Sequence, residues 1–299
     1  MAEGILGHPV SGGRMYRLAA FARVTGGGNP AGVWVGSMLP DAAVMQRMAA
    51  DVGYSETVFL AVGEDAPIPT RYFSPVAEVP FCGHATIAAG CLLGQLRGVG
   101  AYVLETRAGE IPVRVACDGA VWTATLTSVA PRHEPPGGEL DAVLGALAWT
   151  QGDLDETIPP ARAYAGAWHL VIAVRTEERL ANMHYDFDRM KRIMSDSGLT
   201  TLQLVWRESG ATSGAGTARP TVFHARNPFP VGGVFEDPAT GAAAAALGGY
   251  LRDSGRLTTP AYVQIRQGEA MGRPSLIHVN VPETGGIEVS GAAESISHP

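Results

Sequence analysis

The apolar positions change spacing along the chain, and each change marks an element. Residues 15–24 and 31–35 read as strands, separated by the turn Gly26-Gly27-Gly28-Asn29-Pro30. Pro40-Asp41 then opens a helix whose apolar residues Val44, Met45, Met48 and Val52 fall at helical spacing, with Gly53 as its stop. Strands are expected at 56–62 and 70–73. Pro80 precedes an Ala-rich helix over about 83–96 that is apolar on all sides and is therefore expected to be buried. Three further strands, 102–106, 111–116 and 121–126, close this half of the chain.

Residues 131–138, containing Pro135-Pro136-Gly137-Gly138, read as a linker, and after it the order recurs. A strand at 168–174 is followed by a helix at 187–196 stopped by Gly198, then by strands at 202–207 and 221–225. Residues 209–218 form a Gly/Ser/Ala/Thr loop expected to be mobile. A second Ala-rich buried helix, 240–251, leads into strands at 262–266, 276–281 and 287–289. Residues recur as well as order. Met45-Gln46-Arg47 and Asp51-Val52-Gly53 match Met190-Lys191-Arg192 and Asp196-Ser197-Gly198 at a constant spacing, and Ala85-Thr86 and Ala239-Thr240 each open an Ala-rich helix. A period this long indicates duplication of a whole domain, because solenoid repeats run only about 20 to 50 residues. The expected division is a leader at 1–13, one domain at 14–130 and a second at 131–285. A strand near 286–295 is a candidate to return to the first. Two similar domains facing each other would enclose a cleft.

Composition narrows the partners. The 38 glycines and 21 prolines predict many tight turns, and a charged fraction of 17% is too low for a disordered chain. A net charge of −7 without any basic cluster argues against nucleic acid and anionic membrane surfaces. The longest apolar run, residues 81–94, carries His84 and falls short of the roughly 18 to 20 residues of a membrane span. Residues 1–13 show no signal-peptide pattern and read as a disordered leader. Three unpaired cysteines, Cys82, Cys91 and Cys117, fit a reducing, cytoplasmic setting.

Each Ala-rich helix begins with small residues after a proline-containing turn. Helix starts carry unsatisfied N–H groups and about half a positive charge, so two of them at one cleft would bind a carboxylate. The inferred ligand is a small organic acid. Differences between the halves then point to chemistry, because scaffold residues should match and site residues need not. Glu56 stands where the second half has Thr201, His84 opposite about Pro238, and Asp237 opposite about Gly83. Each has a structural explanation too: Asp237 as an N-cap before Pro238, Glu56 as a solvated carboxylate, His84 as a hydrogen-bonded core histidine.

Together the motifs Gly28-Asn29-Pro30, Ser55-Glu56-Thr57, Arg71-Tyr72-Phe73, Cys82-Gly83-His84-Ala85-Thr86, Glu236-Asp237-Pro238-Ala239-Thr240-Gly241, Gln267-Gly268 and Met271-Gly272-Arg273-Pro274-Ser275 resemble the PhzF-like isomerases and epimerases of phenazine biosynthesis, within the diaminopimelate epimerase superfold. The resemblance implies an α+β fold of two pseudo-symmetric domains, each a β-barrel-like sheet around a central helix, in a homodimer that uses no metal or organic cofactor. It also implies roles. Glu56 would move a proton between carbons of the substrate, and His84 and Asp237 would be its polar partners. Backbone N–H groups of Gly83, His84, Thr240 and Gly241 would cradle the substrate carboxylate, beside Cys82 and Ala242.

Ala242 departs from the pattern, since the phenazine enzymes carry a serine there; dihydro-3-hydroxyanthranilate is therefore not the assured substrate. Cys82 occupies the place of the first cysteine of the two-cysteine racemases. The second would fall near Pro238, so two-cysteine racemisation is disfavoured and Cys82 is read as a buried structural thiol. Gly26-Gly27-Gly28 lacks both phosphate-loop and dinucleotide-binding spacing. His133, His169, His184, His224 and His278 lack metal-ligand spacing, and the sequence does not decide which way His169 faces. The function expected is a cofactor-independent isomerase of a small amino- or hydroxy-carboxylic acid. An amino-acid epimerase and a non-catalytic binding homologue are the alternatives.

Overall fold

A computed structural model describes residues 7–63, 67–208 and 220–296. The chain forms two units, Met1–Leu126 with Ser290–Pro299, and Thr127–Val289. The mobile loop expected at 209–218 lies outside the described residues.

In the first unit the elements are β1 (His8–Val10), β2 (Gly13–Ala20), β3 (Asn29–Gly36), α1 (Ala42–Val52), β4 (Glu56–Ala61), β5 (Ile68–Phe73), β6 (Glu78–Val79), α2 (Gly83–Arg97), β7 (Gly100–Thr106), β8 (Gly109–Asp118) and β9 (Val121–Thr127). The second contains β10 (Arg132–Glu134), α3 (Glu139–Leu147), β11 (Ala161–Tyr164), β12 (Trp168–Ala173), α4 (Glu177–Ala181), α5 (Phe187–Asp196), β13 (Thr201–Arg207), β14 (Thr221–Arg226), α6 (Gly241–Asp253), β15 (Ala261–Gln267) and β16 (Ser275–Val281). The last strand, β17 (Glu288–Ser295), pairs Ala293–Ser295 with Leu18–Ala20 of β2. It also borders β9, so eight strands of the first unit close on themselves in the order β17, β2, β3, β4, β5, β7, β8, β9. Closure removes the sheet edges.

Helix α2 fills this barrel. His84 to Gly94 are all buried, and the helix packs on β2, β3, β4 and β8. A helix with no polar stripe can be satisfied only where protein surrounds it. The outer face is covered by α1, whose Met45, Met48 and Ala49 join Met15, Trp34, Phe59 and Phe73. Because side chains alternate across a strand, Phe59 pointing out toward α1 places Glu56 and Val58 on the inner face, with α2.

The second unit repeats the plan. Its strands run in sequence order from β10 to β16, and α6 touches β10 and β11 at one end of that row and β16 at the other, so the sheet curls around the helix. Its outer layer is larger: α3, α4 and α5 supply Val143, Leu144, Leu180, Met190 and Met194 against Leu170, Ile172, Leu202 and Leu204. His169, Thr201 and Gln203 therefore face inward. Corresponding pairings match in direction. β3 and β4 are parallel around α1, as β12 and β13 are around α4 and α5, and β5–β7 and β14–β15 are parallel around the central helices.

Two expectations are corrected. The disordered leader expected at 1–13 does not hold over its described part, because His8–Val10 is a strand paired with Gly13–Met15. A tight turn with positive φ at Ser11 and Gly12 joins them, and the Trp34 indole N–H donates to the Val10 carbonyl at 2.9 Å. The linker at 131–138 is also not an open connection: Arg132–Glu134 pairs with Arg162–Tyr164 of β11. Its Pro-Gly run is the lead-in to α3, a helix the sequence pattern did not reveal.

Candidate functional site

Four of the expected site residues meet at one end of the first barrel. Gly53 ends α1 in a left-handed conformation, and after Tyr54 and Ser55 the chain enters β4 at Glu56. Glu56 sits in register with Ala31 of β3, a small inward neighbour that leaves its carboxylate room toward the start of α2. There Glu56 Oε2 lies 3.6 Å from His84 Nε2, with the two side chains 19% and 9% exposed. Ser55 Oγ is 3.5 Å from the same Nε2, and Cys82 Sγ is 3.4 Å from Nδ1. The imidazole thus stands between a thiol on one nitrogen and a carboxylate and hydroxyl on the other. A thiol donating to Nδ1 would leave the ring proton on Nε2, the nitrogen that faces Ser55 and Glu56.

Glu56, Cys82 and His84 could be read as metal ligands, since one donor atom from each lies within 4.8 Å of the others. Cys82 and Glu56 address opposite ring nitrogens, and a single ion can take only one of these. Cys82 is not the buried structural thiol expected. It is partly exposed, because it is the residue before α2 enters the barrel, whereas Cys91 in mid-helix is buried and its thiol is pushed up to about 12 by burial.

The side chain of Cys82, the N-cap residue of α2, makes no capping bond to the helix. Its first intrahelical bond runs from Thr86 N–H to Cys82 O at 3.0 Å, so the N–H groups of Gly83, His84 and Ala85 precede it. The turn is anchored from behind. Thr86 Oγ1 donates to Cys82 O at 2.7 Å, and the Tyr72 hydroxyl of β5 donates to Thr86 Oγ1 at 2.7 Å. Burial raises the Tyr72 pKa well above the ordinary phenol value, keeping it a neutral donor.

The other expected residues lie in the second unit, at the corresponding end of α6. Asp237 is not the N-cap, because α6 begins at Gly241 with Thr240 as its cap residue. Thr240 Oγ1 donates to Asp237 Oδ2 at 2.5 Å and accepts no capping bond from the helix. The Thr240 N–H, expected in a carboxylate cradle, is directed at Gln267 Oε1 at 3.4 Å. The N–H groups that precede the first intrahelical bond, Ala244 N–H to Thr240 O, are those of Gly241, Ala242 and Ala243. Just upstream, buried Glu236 is held by a two-pronged pair with Arg226, whose Nη2 reaches Glu236 Oε2 at 2.5 Å. The first unit holds Glu78 to Arg71 in the same way, at 2.6 Å for both bonds.

Aligning the two helices by their starts puts Cys82 opposite Thr240 and His84 opposite Ala242. The match of Ala85-Thr86 to Ala239-Thr240 was therefore out by about one helical turn: Thr86 lies inside α2, whereas Thr240 precedes α6. Ala-rich helices resemble themselves after such a shift. The Glu56–Thr201 correspondence stands, as both residues open the second strand of the parallel pair. In the second unit His169 faces inward, with Nδ1 2.7 Å from Thr201 Oγ1, and complete burial pushes its pKa down to about 3. Ser55, Tyr72, Thr86 and Gln267 were singled out only as parts of motifs; adjacency to Glu56 and His84 was the available signal for Ser55 and Thr86, and Tyr72 and Gln267 had none.

A closed barrel in one unit and a curled sheet in the other, each around a buried helix, are the plan of the diaminopimelate epimerase-like fold. Residues 18–298 match the family described as phenazine biosynthesis-like protein; the chain belongs to this family and is an isomerase. It is 33% identical to an uncharacterized isomerase of Deinococcus radiodurans, over 94% of this chain and 92% of that one. It is 31% identical to the trans-2,3-dihydro-3-hydroxyanthranilate isomerase of Pseudomonas fluorescens, over 87% of each. Among solved structures, the phenazine biosynthesis protein of the PhzF family from Bacillus anthracis superposes with a TM-score of 0.80 at 22% identity, covering 95% of this chain and 96% of that one. A probable proline racemase from Agrobacterium radiobacter shares the fold at a TM-score of 0.60 and 13% identity, covering 95% and 92%. No helix among the described residues is long and apolar enough to cross a membrane.

Proposed function

We propose that the protein is a cofactor-independent isomerase that moves a proton between two carbons of a small amino- or hydroxy-carboxylic acid. The observation that carries this reading is the Glu56 carboxylate, placed inward at the start of β4 and 3.6 Å from His84 Nε2, beside a helix start that its N-cap residue leaves uncapped. Glu56 takes a proton from a substrate C–H, the bonding pair moves into the adjoining π system, and the same proton is returned to a different carbon. The sum is an isomerisation that needs no co-reactant. A single acid/base group of this kind accounts for about 10²- to 10⁴-fold of rate. The N–H groups opening α2 favour the negative charge that develops toward the substrate carboxylate. On this reading His84 and Asp237 are polar partners of the substrate, and Gly83, Gly241 and Ala242 supply backbone contacts.

The Pseudomonas fluorescens relative names a candidate substrate, trans-2,3-dihydro-3-hydroxyanthranilate. Ala242, where the family pattern has serine, favours a relative of that acid with a smaller hydrogen-bonding demand at this point. Turnover of that compound and of a panel of cyclic amino acids in deuterated water tests the reading. Deuterium at a new carbon is the expected result, and deuterium at the original carbon with inverted configuration would make the protein an epimerase. Glu56→Gln should lower turnover at least about 10²-fold while leaving binding within about tenfold. Undiminished turnover would refute the assignment, and ligand-induced thermal stabilisation without any consumption would indicate a non-catalytic binder.

A further inference from the structure

Gln267 ends β15, in register with Ala225 of β14, and is buried. Its side-chain amide contacts three atoms of the turn that precedes α6. Nε2 reaches the Asp237 carbonyl at 2.8 Å and Thr240 Oγ1 at 3.0 Å, and Oε1 faces the Thr240 N–H at 3.4 Å. Two of these partners have fixed roles: a carbonyl only accepts and a backbone N–H only donates. The amide can therefore sit only one way round, with its NH2 toward Asp237 O and Thr240 Oγ1. Thr240 Oγ1 thus receives one of the amide protons. Its own single proton then goes to its remaining close partner, Asp237 Oδ2 at 2.5 Å. Gly268, next in the chain, holds the amide against this turn: it has φ +78°, and a Cβ there would come within 2.7 Å of the Pro238 carbonyl and 2.4 Å of the Arg273 carbonyl.

We propose that Gln267 is a positioning residue, whose amide fixes the Thr240 hydroxyl as a donor to Asp237 and so sets the orientation in which that carboxylate meets the substrate. The inference rests on the reading of Asp237 as a substrate partner. It assigns to Gln267 an action through Thr240, not a contact with substrate.

The test has two arms. In the first, the Thr240 hydroxyl proton is observed by NMR in threonine-labelled protein and identified by its loss in Thr240→Val. It should exchange slowly with water in the wild type, and at least tenfold faster in Gln267→Met. Unchanged exchange in that variant, or fast exchange already in the wild type, overturns the proposal. In the second arm, turnover of trans-2,3-dihydro-3-hydroxyanthranilate is measured. Gln267→Met and Thr240→Val should each lower kcat about tenfold with KM within threefold. The double variant should be no worse than either single one, and Thr240→Ser should recover most of what Thr240→Val loses. Multiplying effects, or a folded Gln267→Met with wild-type kcat, overturn the proposal. Asp237→Asn separates the two claims. If it keeps wild-type turnover, the reading of Asp237 fails and the hydroxyl arm alone judges Gln267; if it loses turnover while Gln267→Met does not, the positioning role alone fails.

Discussion

The two units place different chemistry at one position of the same scaffold. In each, a parallel strand pair carries inward residues at the corresponding register position: Ala31 and Glu56 in the first unit, His169 and Thr201 in the second. The first leaves a carboxylate beside an imidazole. The second fills the place with a buried, neutral histidine hydrogen-bonded to a threonine. Each helix start is also tied to a neighbouring strand through a threonine, but with opposite results. Tyr72 and Thr86 secure the backbone of Cys82, whereas Gln267 and Thr240 secure the side chain of Asp237. The first unit thus uses its polar network to hold a helix end open, and the second uses its own to hold a carboxylate.

The ion pairs ahead of the two central helices should show the largest difference in stability. Arg226→Ala strands Glu236, whose side chain is only 2% exposed, and removes bonds to the carbonyls of Ala181 and Met183. Breaking a buried pair this way costs about 3 to 5 kcal/mol. Arg71→Ala leaves Glu78 14% exposed and still 2.7 Å from Arg107, so its loss should be about 1 kcal/mol. Urea denaturation of the two variants, followed by probes in each unit, checks this. Equal losses would mean that the two pairs are not as different as their burial indicates.

The next largest effect is in pH dependence and belongs to the second unit alone. Folding takes His169 from its ordinary pKa of 6.5 to about 3 by burial. The unfolded chain therefore binds its proton first, so the stability linked to this group is fully present above pH 6.5 and is lost as pH falls toward 3. Each pH unit in that window carries at most about 1.4 kcal/mol. His169→Gln can keep a hydrogen bond to Thr201 without titrating. Between pH 7 and pH 4.5 the wild type should lose roughly 2 kcal/mol more than the variant, measured as the difference in urea unfolding free energy. Parallel pH profiles would show that His169 charges in the folded protein.

The fold was legible wherever burial imposes a pattern. α2 and α6 announced themselves because a helix apolar on every face has nowhere to go but a barrel interior, and α1 and α5 because their matching residues keep a constant spacing. Short elements were missed: β10 and β11 are only three and four residues long, and the apolar α3 was hidden behind Pro135-Pro136-Gly137-Gly138, which resembled a linker while serving as the approach to that helix. For the candidate site, Glu56 and His84 could be named because they interrupt an internal repeat. Their neighbours could not. Which atom the Thr240 hydroxyl serves depends on Gln267, which arrives from a strand 27 residues further along, and such a contact leaves no periodic trace. The same limit explains the misaligned helix starts, where alanine repeats hide a shift of one turn.

The smallest predicted difference concerns how tightly each sheet grips its helix. At Gly90 of α2 an added Cβ would lie 2.7 Å from the Ala124 Cβ and 2.8 Å from Val113 Cγ1, on adjacent strands of a closed wall. Ala124 has no rotamer with which to yield, so the wall or the helix must move. Overpacking of this kind costs about 1 to 3 kcal/mol, against which alanine recovers roughly 1 kcal/mol of helix propensity. Gly90→Ala should therefore destabilise by about 1 kcal/mol. At Gly248 of α6 the same atom would meet Val279 Cγ1, Val281 Cγ2 and Ile287 Cγ2 at 3.2 to 3.3 Å. These are branch tips that can each give a few tenths of an ångström, and the propensity gain then offsets the crowding. Gly248→Ala should stay within about 0.5 kcal/mol of the wild type by urea denaturation. A cost at Gly248 equal to that at Gly90 would mean that the second sheet holds its helix as rigidly as the closed barrel does. Tighter packing in the first unit could not then be the reason that its helix start, which carries His84, stays fixed beside Glu56.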